Sequence, residues 1–130
     1  MEEVVRKICL DSDVLIELFR NNRQLTDKIF SLDAQFHTTS VSVFELWNSR
    51  KDEDKLSDFF HSITILNFDK NSGIIAGKIS RQLKDNGEEV EFRDIFIGSI
   101  CISNDVELFT LNVKHFERMK KFGLNLVKTN

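Results

Sequence analysis

A chain of 130 residues is most simply one domain, here taken as residues 1–130, large enough to bury a respectable core. Its 41% hydrophobic and 30% charged residues are those of an ordinary soluble globular protein. The net charge of −3 argues against a protein that holds nucleic acid by a broad positive field, but leaves room for nucleic acid held locally through metal ions.

Val4 to Leu10 is predicted as a strand carrying the buried run Ile8-Cys9-Leu10. Ser12 then opens a short helix with Val14, Leu15, Leu18 and Phe19 on one side, and a second helix spans about Gln24 to Ser31. Phe36 to Thr39 reads as a short strand leading into a helix from Val41 to Arg50. The charged run from Lys51 to Lys55 reads as a solvated connection to a helix ending near Phe60. Ile63 to Phe68 alternates and is β-branched, a strand. Ile75, Ile79 and Leu83 recur every four residues, a helix face stopped by Asn86-Gly87. Ile95 to Ile102 fits strand or helix by periodicity; the strand Glu107 to Leu111 follows almost at once, which favours helix. A last strand is expected at Leu124 to Val127, after a short helix.

Cys9 and Cys101 both lie in apolar runs and are expected to be buried free thiols, and no Cys/His spacing suggests zinc. No apolar run approaches the roughly 18 residues of a membrane span, and no signal-peptide pattern is present, so a cytoplasmic protein without membrane contact is expected. The alternation of strands and helices makes a parallel α/β sheet the default, with the working site beyond the carboxyl ends of its strands.

Four polar residues stand out against this background. Asp11 and Asn112 close apolar strands, Glu45 interrupts an apolar helix, and Asp94 precedes Ile95-Phe96-Ile97. Acids at the edge of a core are costly to desolvate unless their charge is compensated. Each has an ordinary explanation. Asp94, Asn112 and Asp11 are all suited to cap the helices that follow them, and Glu45 lies three residues after Ser42, the spacing of a capping box. Jointly they suggest a divalent-cation site, and here the chain resembles a known family.

The segments Leu10-Asp11-Ser12-Asp13-Val14-Leu15-Ile16 and Thr39-Ser40-Val41-Ser42-Val43-Phe44-Glu45-Leu46 resemble the opening motifs of PIN-domain nucleases. Arg93-Asp94-Ile95-Phe96-Ile97-Gly98-Ser99 and Phe109-Thr110-Leu111-Asn112-Val113-Lys114-His115-Phe116 are similar to that family's third and fourth motifs, in order and across almost the whole chain. The small size resembles VapC-type toxins of VapBC toxin–antitoxin pairs. The resemblance implies a single PIN-like α/β/α sandwich, its central parallel sheet flanked by helices, acting as a metal-dependent endoribonuclease. It implies that Asp11, Glu45 and Asp94 bind the metal, with Asn112 at a fourth, often acidic position and Ser12 and Asp13 beside the site. It also implies a homodimer and a cognate antitoxin that blocks the pocket with a basic side chain.

The chemistry suits these residue types. Mg²⁺ and Mn²⁺ prefer carboxylate oxygen, and a bound ion lowers the pKa of its water to give the attacking hydroxide. Two carboxylates ~4 Å apart repel by about 4 kcal/mol at an effective dielectric near 20, so a strained cluster with at least one raised pKa is expected without metal. Arg93, Lys114, His115, Arg118, Lys120 and Lys121 are the cations nearest these motifs and the candidates for RNA phosphate contacts. Trp47 suits core or dimer packing more than base stacking, and His37 and His61 carry no assignment.

Two other readings compete. Asp11-Ser12-Asp13 after a strand also resembles the opening of haloacid-dehalogenase-type phosphatases, with Thr38, Thr39 or Ser40 as phosphate-binding hydroxyl, but the penultimate strand ends in Asn112 where that family needs acids. A degenerate nuclease fold that binds RNA or a protein without catalysis is the third, supported by the missing charge at Asn112.

Overall fold

The computed structural model describes residues 4–128. Four strands, β1 (Lys7–Leu10), β2 (Gln35–Thr39), β3 (Thr64–Leu66) and β4 (Glu107–Phe109), form one sheet in the order β3-β2-β1-β4, every pair parallel. Among the described residues six α-helices connect them, α1 (Ser12–Phe19), α2 (Arg23–Ser31), α3 (Ser40–Ser49), α4 (Glu53–Ser62), α5 (Lys70–Asp85) and α6 (Phe92–Asn104), and a seventh, α7 (Val113–Phe116), follows β4 and runs into a 3-10 helix, Glu117–Phe122.

The sheet is covered on both faces, which is why β1 reads as an unbroken apolar run. Ile8, Leu10 and Phe109 pack with Val14, Leu15, Ile29, Leu46 and Leu56 of α1 to α4 on one side. Cys9 and Leu108 pack with Ala76, Ile79, Leu83, Ile95, Ile97, Cys101 and Met119 on the other. Successive strand residues point to opposite faces, and this alternation builds the three-layered α/β/α sandwich from two separate cores. Both cysteines are free and buried, and burial together with the Cys101 thiol pushes the Cys9 thiol upward.

The ambiguous segment Ile95–Ile102 lies within α6. Asp94, Ile95, Ile97, Gly98, Ser99, Ile100 and Cys101 are all buried, so this helix has little polar face and no clear period in its sequence. Gly98 allows the close approach, since a Cβ there would meet the Met119 sulfur at 2.6 Å.

Several boundaries differ from expectation. β1 starts at Lys7, with Val4 97% exposed ahead of it. Glu53 and Asp54 form the first turn of α4 rather than a connection, where acids complement the helix dipole. The expected strand at Leu124–Val127 is a single parallel bridge, Leu108 to Leu126. β3 and β4 are three residues each.

The topology positions the site. From β1 the chain moves outward through β2 and β3, then returns to add β4 on the opposite side of β1. The order reverses between β1 and β4, so their connections diverge and leave a crevice at the carboxyl edge. Asp11 follows β1 there, and Thr110 follows β4.

Candidate functional site

The first residues past β1 serve two ends at once. Asp11 is the N-cap of α1, its Oδ1 accepting the Ser12 N–H at 2.7 Å. The same oxygen accepts from Arg93 Nη2 at 2.7 Å, and Oδ2 accepts from the Thr110 hydroxyl at 2.8 Å. Asp11 is 1% exposed, so these donors supply what water cannot.

Glu45 and Asp94 are not caps. The cap of α3 is Thr39, whose hydroxyl accepts the Ser42 N–H at 3.1 Å; Glu45 lies farther along, facing the crevice. Asp94 is the third residue of α6, behind the N-cap Glu91, and is 3% exposed. Asn112 does occupy the cap position of α7 but makes no capping bond with its side chain.

Arg93 joins the acids. Its Nη2 donates to Asp11, its Nε to Glu45 Oε2 and its Nη1 to Asp94 Oδ1, each at 2.7 Å. Three carboxylates from the end of β1, from α3 and from α6 therefore ring one guanidinium. Any two accepting oxygens are separated by no more than two hydrogen bonds and the width of that group. Burial opposes the charge on Arg93, but hydrogen bonds to Glu45 and Asp94 and the field of Asp11 outweigh it and hold its pKa well above the ordinary value. The expected strain among unpaired acids is thus relieved internally. Among the described residues, no three Asp, Glu, His or Cys side chains stand in a metal-caging arrangement. The three acids are spaced around a planar cation instead.

The acid whose pKa rises is Asp13, pushed to about 6 by burial and then by the charge of Asp11. Its Oδ1 accepts the Val14 N–H at 2.8 Å; its Oδ2 accepts the Leu111 N–H at 3.1 Å and Asn112 Nδ2 at 3.2 Å. Asn112 therefore pins Asp13 with its amide nitrogen, leaving its oxygen as the only other polar side-chain atom. No hydrogen bond among the described residues links Asn112 to Asp11, Glu45 or Asp94.

Ser12 Oγ lies 2.6 Å from Glu45 Oε1 and 2.9 Å from Ser42 Oγ. A carboxylate only accepts, so the single Ser12 proton goes to Glu45 and the Ser42 hydroxyl supplies the next bond. Thr39 Oγ1 lies 3.3 Å from Ser42 Oγ and completes a chain of three hydroxyls that orients Glu45. Sequence reasoning gave no role to Thr110, read Ser42 only as a capping-box partner of Glu45, and offered Thr39 only as a phosphate-binding hydroxyl of a phosphatase. Thr110 carried one legible signal, a hydroxyl directly after a buried strand and two residues before Asn112.

The basic patch is partly neutralised. Arg118 donates to the Glu89 carbonyl at 2.8 Å and pairs with Glu88, as does Lys121. Lys114, His115 and Arg118 line a pocket of ≈360 Å³ with Asp94 and the 89–91 segment, and His115 Nδ1 is 3.5 Å from Asp94 Oδ2. On the other flank, Val41, Phe44 and Phe96 form an apolar wall beside Glu45 and Arg93, with Phe44 exposed. Trp47 stacks on Phe60, their ring centroids 6.0 Å apart.

A parallel sheet reversing its order beside a buried acid-rich crevice defines a small α/β protein with a polar site at the carboxyl edge of its strands. The PIN domain family model matches residues 8–122, and the chain belongs to the PIN domain family. It is 33% identical to Ribonuclease VapC1 of Methanocaldococcus jannaschii over 97% of this chain and 90% of the relative. It is 35% identical to Ribonuclease VapC3 of the same organism over 70% of this chain and 94% of that protein. Its fold is also that of VapBC from Salmonella typhimurium bound to DNA, with TM-score 0.80, 21% identity, and 95% and 98% of the two chains covered. VapBC-1 from nontypeable Haemophilus influenzae superposes with TM-score 0.79 at 20% identity, covering 94% and 97%. No helix among the described residues is long and apolar enough to cross a membrane.

Proposed function

We propose that this chain is an endoribonuclease of the VapC type, the toxin of a toxin–antitoxin pair, hydrolysing RNA phosphodiesters with Mg²⁺ or Mn²⁺. The observation that carries this reading is the convergence of Asp11, Glu45 and Asp94 on one cation from three separate elements. A pocket built of hard carboxylate oxygens, already organised about a positive charge, fits a hard divalent ion. The ribonuclease names of the M. jannaschii relatives support RNA as the substrate, and the VapBC neighbours support an antitoxin partner.

Asp11, Glu45 and Asp94 would hold the ion, whose contribution is to acidify a bound water and neutralise developing charge on the phosphate. The chain's own groups prepare that site. Thr110 and the Ser12 N–H fix the two oxygens of Asp11, and the Thr39–Ser42–Ser12 chain fixes Glu45. Asn112 holds Asp13 with its amide nitrogen and adds no charge, which favours one strongly bound ion over two. Lys114 and His115 flank Asp94, and Lys114 supplies local positive charge that the net-acidic surface lacks.

The test is cleavage of single-stranded RNA with Mg²⁺ or Mn²⁺ by the parent, Asp11→Asn and Asp94→Asn. Loss of cleavage in both variants, with folded circular dichroism spectra, is the expected result. Equal activity in parent and variants would refute the assignment of these acids. RNA binding without cleavage by the parent would favour the degenerate reading. Release of phosphate from a small aryl phosphate would favour a phosphatase.

A further inference from the structure

Among the described residues, Arg93 is the one cation paired with Asp11, Glu45 and Asp94 together. It contacts all three acids through three different nitrogens, and its side chain is only 28% exposed. A guanidinium is planar and carries a rigid fork of donors, so three simultaneous 2.7 Å contacts are a shape match and not a loose surface pairing. The oxygens it occupies are Asp11 Oδ1, Glu45 Oε2 and Asp94 Oδ1. Ser12 already takes the second oxygen of Glu45, and Thr110 takes the second oxygen of Asp11. Asp94 Oδ2 is the one oxygen of the three carboxylates without a hydrogen bond among the described residues, so an ion bridging all three acids has to share oxygens that the guanidinium holds. The arrangement is also consistent with the absence, among the described residues, of a ready metal cage.

We propose that Arg93 is a built-in counter-cation that competes with the divalent metal for the same three carboxylates, so that metal loading is an exchange in which the guanidinium must leave. The inference rests on the reading of Asp11, Glu45 and Asp94 as metal-binding acids. It accounts for how three acids, two of them at most 3% exposed, stand close together: each has a displaceable partner in its own chain. It also sets the metal affinity of this protein below that of the same acids without the arginine. Once displaced, the guanidinium is a strong donor tethered one residue from Asp94, with a phosphate oxygen as its natural next partner.

Mn²⁺ binding to the full chain, followed by isothermal titration calorimetry and by the electron paramagnetic resonance of free Mn²⁺, tests this without any activity measurement. Arg93→Gln should bind Mn²⁺ on the order of tenfold or more tighter than the parent, because no cation need be expelled. Its metal-free thermal midpoint should fall, and its Mn²⁺-induced rise should exceed the parent's. Arg93→Lys, keeping charge but not the fork, should lie between the two. Should Arg93→Gln fold poorly, the parent itself gives the answer. The ¹⁵N-labelled Arg93 Nε–H resonance, identified by its absence in Arg93→Lys, should be protected from water without metal and exchange rapidly with saturating Mg²⁺. Unchanged or weaker Mn²⁺ affinity in Arg93→Gln, with binding still abolished by Asp94→Asn, would overturn the competition and leave the metal-site reading standing. A Nε–H resonance indifferent to saturating Mg²⁺ would do the same. No Mn²⁺ binding by either parent or Arg93→Gln would overturn both.

Discussion

Thr110→Val removes a short hydrogen bond at the centre of the crevice. The Asp11 carboxylate is wholly buried, and Oδ2 has one donor among the described residues, the Thr110 hydroxyl at 2.8 Å. Valine keeps the branched shape, so no cavity opens; apart from that donor the change removes only the hydroxyl's longer 3.4 Å contact to Asp13 Oδ2 and its acceptor role toward Asn112. A hydrogen bond to a charged acceptor contributes about 1.5–3 kcal/mol, and water cannot replace it at a buried oxygen. The Asn112 N–H, which donates to Thr110 Oγ1 at 3.1 Å, belongs to an exposed residue, so water takes over there at little cost. The expected loss is therefore about 2 kcal/mol, or roughly 8 °C in thermal midpoint for a domain of this size. The measurement is urea and thermal unfolding in chelator at neutral pH, with an unchanged urea slope showing that the denatured state is unaffected. The cycle is completed by Asp11→Asn, where the acceptor is neutral and the same Thr110→Val change should cost under about 1 kcal/mol. An equal cost in both backgrounds, or less than about 0.5 kcal/mol in the parent, would refute the claim that this hydroxyl serves the Asp11 charge.

The expectations for Gly123, Asp105 and His37 are independent of the crevice. Gly123 has φ of 106° at the end of the 3-10 helix, so Gly123→Ala should cost about 1–3 kcal/mol, read as a lower thermal midpoint. Asp105 takes the left-handed conformation at the end of α6, φ 52°, and Asp105→Gly should raise stability by up to about 1 kcal/mol in the same assay. Burial, and then the nearby Lys7 charge, hold the His37 pKa below its ordinary value, and among the described residues neither ring nitrogen has a hydrogen-bond partner. The unfolded chain then takes up the proton first, so stability is present at neutral pH and lost as pH falls through about 6.5. His37→Gln should flatten that acid-side fall; a parallel pH profile would rule His37 out as its source. Mn²⁺ at about a hundred times its dissociation constant should raise stability by roughly 2.7 kcal/mol, and Asp94→Asn should abolish the rise.

The likeness to VapC proteins extends to fold and motif order, yet the chemistry depends on contacts that motif order does not encode. Asp11 is both a helix cap and a partner of Arg93, so capping does not keep it out of the crevice. For Glu45 and Asp94 the capping explanation fails. Thr39 and Glu91 occupy the cap positions of their helices and leave both acids free to face the crevice.

Local sequence determined the elements and their layering. The unbroken run Ile8-Cys9-Leu10 demanded a strand covered on both faces, and the four-residue recurrence of Ile75, Ile79 and Leu83 demanded a helix. Alternation between them demanded a parallel sheet with polar groups gathered at its carboxyl edge. Only the tertiary structure decided what fills the crevice. Arg93 read as a phosphate contact because it abuts Asp94, whereas two of its three partners lie 82 and 48 residues away. Thr110 was silent for the same reason, and Ser42 and Thr39 were legible only in other roles. A hydroxyl acquires a role only when folding removes the water that would otherwise serve the charge beside it.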